Sequence, residues 1–579
     1  MFKRLFSLSA ILIAVLAFTN SAATAFEVTT GPVKVAFVGL KTSEQEFGSV
    51  ALIVDSTTGE TSSTDRLPDL ISPTTVSWTA ATVSFSFRVN ATTYQFNWAI
   101  GDSLLSNIRM AADTSDTPGF LKGLERFHIG KALLSGGKMT IIEAIGDRPQ
   151  STEFTLLHNA LNLENVADGR IGTMAANGLA LAGDIRDNQE QATLALNIER
   201  TTATGFDLAY PATAFSSTLA DFSPDLTPAE YLRTLNAYAA TGVGYDSLNL
   251  ETITGVAVLD GKRYSLTVDS NHNSLYRGYA AGPASLNGLK FSTETGDSLS
   301  VGSISVTGYD LTEAAHDIRE LLRTRPEIFD LETTDPSVFL SAMPPLDAGD
   351  LSIREIMVTA NRKSLSLASL LVNDFRIDEN HRLNFGFSVD DLALPASAFD
   401  GQEKESARKI LDHAHLDQLT IDLNHHFTLD PKNLILTVNT LDVAMDGLAA
   451  FTSQFELTGL TLLPDGGNIT YPKLAKAEIT IINDQLLDAA ITSVASGNRP
   501  PDSIRREAEQ TLRNLQASMT TKPGKAVYDE IISFINGTPR LTMSLAPQNP
   551  VPVDQVAGLL ALSADAAVQF LGLKVTAGP

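Results

Sequence analysis

The chain has 579 residues, 42 Lys and Arg against 67 Asp and Glu for a formal net charge of −25, 43% hydrophobic residues and no cysteine. A field of that sign repels phosphate backbones, which excludes nucleic acid as a partner, and the missing cysteine excludes disulfides, thiolate catalysis and a lipid-modified N-terminal cysteine. The hydrophobic share is that of a globular chain with a core, not of a disordered one.

Lys3 and Arg4 precede an apolar stretch from Leu5 to Phe18, broken by Ser7 and Ser9, and Ala23-Thr24-Ala25 supplies a small-x-small cleavage site. The pattern predicts a signal peptide over residues 1–25, export to the periplasm and a soluble mature chain beginning at Phe26. No later apolar run approaches ~20 residues, so the mature chain is expected to carry no transmembrane segment.

Strand signals follow. Val83, Phe85, Phe87 and Val89 alternate with polar residues, and Tyr94, Phe96, Trp98 and Ile100 do the same after Asn90-Ala91-Thr92-Thr93. Side chains on a strand point alternately to opposite faces, so these eight residues form the apolar face of one hairpin with a four-residue loop. Shorter alternation marks Thr193–Ile198. A capping box with proline at the first helical position, Thr227-Pro228-Ala229-Glu230, predicts a helix to about Tyr238.

A second hairpin turns at Asp260-Gly261, between Val256–Leu259 and Tyr264–Val268, because Asp-Gly suits the positive φ of a tight turn. Leu286-Asn287-Gly288-Leu289 opens a strand pair that closes at Ile304–Gly308. Helices are expected from Thr312 to Pro326 and after Asp335-Pro336. Further strands are read at Leu351–Val358 and Leu383–Val389, and a helix at Glu403–Leu411. A third hairpin runs from Leu419–Leu423 through Asp430-Pro431-Lys432-Asn433 to Leu434–Val438. The C-terminal part then reads as helices at 483–495, 502–518 and 525–535, a strand at Leu541–Leu545 and a helical tail at Val553–Phe570.

The fold expected is therefore mainly β with α: multiple antiparallel sheets, elongated or curved, with short interspersed helices and a helical C-terminal segment. Its regions are the signal peptide (1–25), an N-terminal antiparallel β region (26–215), a mixed β/α middle (216–345), and β hairpins followed by a helix-rich end (346–579).

The order of the third hairpin, Asn483-Asp484-Gln485-Leu486-Leu487-Asp488, the Pro501–Ser518 helix and Thr538-Pro539-Arg540-Leu541 through Val553 resembles an uncharacterised family of exported alphaproteobacterial proteins. More loosely, the strand-rich texture resembles AsmA-like envelope proteins. That likeness implies long curved sheets associated with lipid handling at the cell envelope. It carries no functional residues, and the long membrane anchor of many AsmA-like proteins has no counterpart here.

Chemistry-bearing motifs are sparse. His413 and His415 would share a face of an extended strand and form a two-ligand candidate for a metal, but zinc needs three or four convergent ligands and none is assigned. His425 and His426 are adjacent and would face opposite sides. Ser-x-x-Lys occurs at Ser135/Lys138 and Ser406/Lys409, without the companion Ser-Asp-Asn or Lys-Thr-Gly motifs of a serine β-lactamase. No cofactor is implied, and the chain reads as non-catalytic, a hydrolase being the third choice. The two leading functions are a lipid- or hydrophobic-ligand-binding envelope protein, using the face of the 83–100 hairpin, and a structural or protein-interaction scaffold of the periplasm. The partner is then lipid or another envelope protein. Oligomeric state is not legible.

Overall fold

Alternation of apolar and polar residues gives a strand one face for a core and one for water, and most of the chain follows it. The computed structural model describes residues 28–579 apart from 31–32, 44–45, 55–60, 64–73, 90–91, 111–126, 146–150, 168–169, 188–189, 208–243, 260, 278, 330–335, 362, 400–404, 461–471 and 496–498. The expected signal peptide and the helix read at Thr227–Tyr238 lie outside the described residues. Among the described residues the protein is mainly β, with 62% in strands and 22% in helices. Of the eight α-helices among the described residues, five lie beyond residue 485. The chain divides into two units, residues 1–295 with 307–315, and residues 296–306 with 316–579.

In the first unit the strands form one antiparallel ladder. Val33–Thr42 lies between Glu46–Val54 and the consecutive strands Thr74–Trp78 and Ala80–Val89. Thr92–Ile100 pairs with Ala80–Val89 and Ser103–Met110 with Thr74–Trp78, and beyond Phe127–Ile145 neighbours in the sheet are neighbours in sequence. Thr92–Ile100 and Ser103–Met110 lead to Phe127–Ile145, Ser151–Ala167, Arg170–Asp187, Glu190–Asp207, Tyr245–Leu259, Lys262–Arg277 and Ala284–Thr293. The Asp-Gly hairpin is present, with Gly261 at φ +74°. The aromatic hairpin is present with a shorter loop than the sequence implies. Thr92 pairs with Val89 and Thr93 with Arg88, since β-branched threonine suits an extended backbone.

Two lines of unusual backbone cross this ladder. One runs through Asn107, Gly130, Asn165, Gly172, Gly205, Asp246 and Leu275. The other runs through Gly136, Asn159, Gly178, Glu199, Thr252, Asp269 and Gly288. At each step regular pairing is interrupted while the register on either side is unchanged. Alternate members hold positive φ: 55°, 56°, 62° and 45° at Asn107, Asn165, Gly205 and Leu275, and 60°, 62°, 51° and 65° at Gly136, Gly178, Thr252 and Gly288. Each of the six strands from Phe127–Ile145 to Lys262–Arg277 thus contributes one left-handed residue, at one line, and an ordinary residue at the other. Glycine and asparagine tolerate this conformation; Thr252 and Leu275 adopt it at a cost of roughly 1–2 kcal/mol each.

The ordinary members explain why several left-handed ones are glycine. A Cβ on Gly178 would lie 2.2 Å from Asn159 Nδ2, and one on Gly205 or Gly288 would lie 2.0 Å from the carboxylate of Asp246 or Asp269. Each line also slips the side-chain alternation by one residue. On Glu190–Asp207 the less exposed side chains are Leu194, Leu196 and Ile198, and then Thr201 and Ala203.

The second unit uses the same device across its first four strands, and there the line ends in a bulge, since the pairing of Leu383–Pro395 with Gln418–Asp430 shifts by one between Val389 and Leu392. Its strands follow sequence order: Ser298–Val306, Leu351–Ala360, Lys363–Ile377, Leu383–Pro395, Gln418–Asp430, Ile435–Met445, Ala449–Thr458, Lys473–Asn483, Arg540–Leu545 and Lys574–Gly578. Glu355 and Asp391 hold φ of 56° and 54°. Glu355 lies over Gly302, where a Cβ would meet its Oε2 at 2.4 Å. The Asp391 N–H, turned out of the ladder, donates to Asp422 Oδ1 at 2.7 Å.

Helices cover the C-terminal end of this sheet. Lys522–Ile535, Val553–Leu562 and Ala564–Leu571 bury Val527, Ala567 and Leu571 with Leu474 and Leu545 of the strands. The single helical tail expected at Val553–Phe570 is two helices. Ser563 is extended and its hydroxyl accepts the Ala566 N–H, so it ends one helix and caps the next. The final strand Lys574–Gly578 was not expected. Its Ala577 N–H donates to Glu530 Oε2 of Lys522–Ile535 at 2.7 Å. Asp565 ties the helices together by accepting from the Thr521 hydroxyl, the Thr520 N–H at 2.7 Å and the Thr520 hydroxyl at 2.8 Å. These bonds hold its carboxyl down at about 2.

Gly178→Ala and Gly205→Ala should each lower the free energy of unfolding in urea by about 1–3 kcal/mol. Gly558→Ala, on an exposed helical turn with nothing within 4 Å, should raise it by about 0.5–1 kcal/mol. Because the folded Asp565 carboxyl titrates below its ordinary 3.8, its contribution is complete above that value and is lost as pH falls toward about 2. The stability gap between wild type and Asp565→Asn should therefore close on acidification from about pH 5 to pH 2, as followed by circular dichroism. A gap that does not change with pH removes this role from Asp565.

Candidate apolar binding faces

The aromatic hairpin brings its predicted residues together. Val83 pairs with Trp98, Phe85 with Phe96, Phe87 with Tyr94 and Ala81 with Ile100. Phe96 and Ile100 are buried, at 5% and 7% exposure, while Val83, Phe85, Tyr94 and Trp98 are half-buried. The side chains of Phe87 and Val89 lie outside the described residues. Phe85 and Phe96 rings sit 4.6 Å apart. Phe96 packs with Ile141 and Phe154 of the next two strands, and with Met139 and Trp98. The eight-residue face is thus one corner of a longer apolar surface.

That surface contains a buried histidine that its sequence neighbours do not advertise. His158 is 6% exposed, lies over Gly137, and packs edge-on to Trp98 with ring centroids 6.3 Å apart. Neither ring nitrogen has a hydrogen-bond partner, and the same holds for Nε1 of Trp78 and of Trp98. Burial pushes the His158 pKa down from its usual 6.5, so the ring is neutral at neutral pH. The signal available in the sequence was position alone: His158 shares the side-chain parity of Phe154 and Leu156.

The second unit carries a larger and cleaner version of the same surface. Leu299, Val301, Ile304 and Val306 face one way and pair across with Val358, Ile356, Ile353 and Leu351. Those pair in turn with Leu365, Leu367, Leu370 and Val372; of these, Leu370 and Val372 pair with Val389 and Phe387, while Leu392 and Leu394 flank Ala393, the partner of Ser366. The opposite face holds Ser300, Ser303, Ser305, Ser352, Arg354, Ser364, Ser366 and Ser369. A core face of this composition is normally shielded from water. Here only Val301 of the sixteen apolar residues is buried; fourteen are half-buried, and Val358 is exposed, at 37%.

The sequence-derived metal candidates do not meet on a strand. His413 ends the helix Glu405–His413, and His415 follows it in a turn with φ +57°; the helix expected at Glu403–Leu411 runs further than its apolar stripe indicates. Among the described residues no three His, Asp or Glu side chains are grouped to hold a metal. His426 Nε2 lies 2.7 Å from Asp374 Oδ2 and its Nδ1 2.9 Å from Asn439 Nδ2. His425, on the other side of that strand, has its ring centroid 5.6 Å from that of Phe427, the two rings tilted. Of the Ser-x-x-Lys pairs, Lys409 is engaged by Glu405 at 2.8 Å, and Lys138 is exposed.

Residues 417–578 match a family model described as "Uncharacterized protein". The match begins where Gln418–Asp430 begins and ends with the last strand, so it takes in the third hairpin and all five C-terminal helices. No curated protein matches the chain. No helix among the described residues is long and apolar enough to cross a membrane.

Truncation separates the buried corner from the half-buried face. Phe96→Ala should cost about 3–5 kcal/mol of unfolding free energy, and Val358→Ala less than about 1 kcal/mol. Urea unfolding of both variants checks this.

Proposed function

We propose that this chain is an exported, non-catalytic envelope protein that binds the hydrocarbon chains of lipid, or another hydrophobic ligand, along the apolar faces of its sheets. The observation that carries the reading is the half-exposed face of Leu299–Leu394. Sixteen apolar side chains are ranked in register across four strands, with a serine-rich face behind them, and a protein layer packed against them would have buried them. Contiguous apolar surface of this kind marks an interaction site. An acyl chain laid on it gains roughly 0.8 kcal/mol for each methylene removed from water. The likeness in texture to AsmA-like envelope proteins supports the same reading, and the pattern of residues 1–25 supports export.

A periplasmic scaffold is the second reading. It draws on exposed apolar residues of the C-terminal helices, Val494 at 66% and Phe570 at 54%, which suit a protein partner.

Protein purified without detergent from an exporting bacterial host should yield stoichiometric phospholipid or fatty acid on extraction and mass spectrometry. Leu367→Asp and Leu370→Asp, on the apolar face, should reduce the bound lipid several-fold, whereas Ser366→Asp on the opposite face should not. Near-UV circular dichroism confirms that each variant is folded. A folded, lipid-free wild type moves the function to the scaffold.

A further inference from the structure

The corner formed by Trp98 and His158 points to which end of a lipid lies where, an inference that rests on the reading above. Three buried nitrogens of these two edge-on rings lack partners: Nδ1 and Nε2 of His158 and Nε1 of Trp98. An unpaired buried polar group costs about 1–3 kcal/mol, and native proteins seldom keep one without a use. The histidine has a prepared seat, because a Cβ at Gly137 would lie 1.7 Å from its Nε2. Gly137 in turn pairs with Ile100.

The donor inventory decides what satisfies this corner. An indole N–H only donates, so the missing partner is an acceptor and neither a metal ion nor an ammonium group. A neutral imidazole offers one further donor and one acceptor. Two oxygens on one centre, as in a carboxyl or phosphoryl group, answer both rings at once. Around them Phe96, Ile141 and Phe154 form an apolar wall, so the remainder of the ligand is hydrocarbon.

We propose that Trp98 and His158 are the headgroup subsite of the first unit, binding the acid oxygens of an amphiphile whose acyl chain lies along the adjoining apolar rows.

The chain has two tryptophans, so Trp78→Phe leaves Trp98 as the reporter. In that background palmitate, dipalmitoyl phosphatidic acid and hexadecane are titrated against intrinsic fluorescence. At least one of the two acids is expected to shift Trp98 emission and to bind roughly tenfold or more tighter than hexadecane. His158→Phe should abolish that preference and leave hexadecane binding unchanged, while His158→Gln keeps part of it. Tighter palmitate assigns the subsite to a carboxyl; tighter phosphatidic acid assigns it to a phosphoryl group. Equal affinities in the parent protein, or a preference that survives His158→Phe, overturn the subsite but not the lipid-binding face. If none of the three probes shifts Trp98 emission, the subsite falls, and the lipid-binding reading of the second unit's face is decided separately by the extraction experiment on that face. Should His158→Phe fail to fold, Trp98→Phe read by calorimetry decides, with loss of the preference expected and its persistence overturning the subsite.

Discussion

The recurring left-handed residue is the constraint on which the strand ladders of both units depend. A long antiparallel ladder of L-residues twists steadily, and strands of up to nineteen residues, such as Phe127–Ile145, accumulate that twist over their full length. Here each long strand of the first unit is interrupted where a residue turns to positive φ, and the interruption passes from strand to strand without loss of register. A bulge would have shifted the pairing by one. The line does not, because the left-handed residue is met by a neighbour whose side chain fills the space that a Cβ would occupy. Asn159 over Gly178, Asp246 over Gly205 and Asp269 over Gly288 are three instances of this steric exchange, and over Gly302 the roles reverse, the left-handed Glu355 supplying the side chain that fills the space.

The slip in alternation that accompanies each line keeps the apolar face continuous. Val301 and Ile304 are three residues apart yet lie on one side, as do Ile353 and Ile356, and Leu367 and Leu370. Without the slip, half of each strand would present its leucines to one side and half to the other. The backbone anomaly and the amphipathic sheet are one feature, and the half-exposed apolar surface exists because of it. The helices, by contrast, build an ordinary closed core, in which Leu571 is fully buried and Ala567 nearly so.

This also accounts for what could be read from the sequence. The hairpins at Val83–Ile100, Val256–Val268 and Leu419–Val438 were legible because alternation there runs unbroken beside turn residues. Thr193–Ile198 was legible only as a fragment of Glu190–Asp207, since the pattern slips at Glu199 and a strict period of two loses it. Phe127–Ile145 and Ser151–Ala167 went unread for the same reason. The five C-terminal helices carry clear stripes and stops, apart from the break at Ser563, where a small polar residue in an apolar run was the available signal. Lys574–Gly578 is too short to announce itself and is a strand because Arg540–Leu545 offers it an edge. Of the candidate site, the aromatic residues were visible, while His158 required the register that places it over Gly137. The wide face of the second unit was present in the sequence as separate short runs. Nothing in those runs says that they align.

Glu530 gives the sheet a definite end. The last strand pairs on one side with Arg540–Leu545, and on its outer side the Ala577 N–H is already occupied by that carboxylate. A strand from another molecule seeking to continue the ladder would have to displace a charge-assisted bond and approach an acidic group from the open edge. Strand addition at this edge is thus opposed by the chain's own carboxylate, which works against edge-to-edge association of a protein rich in long, apolar-faced strands.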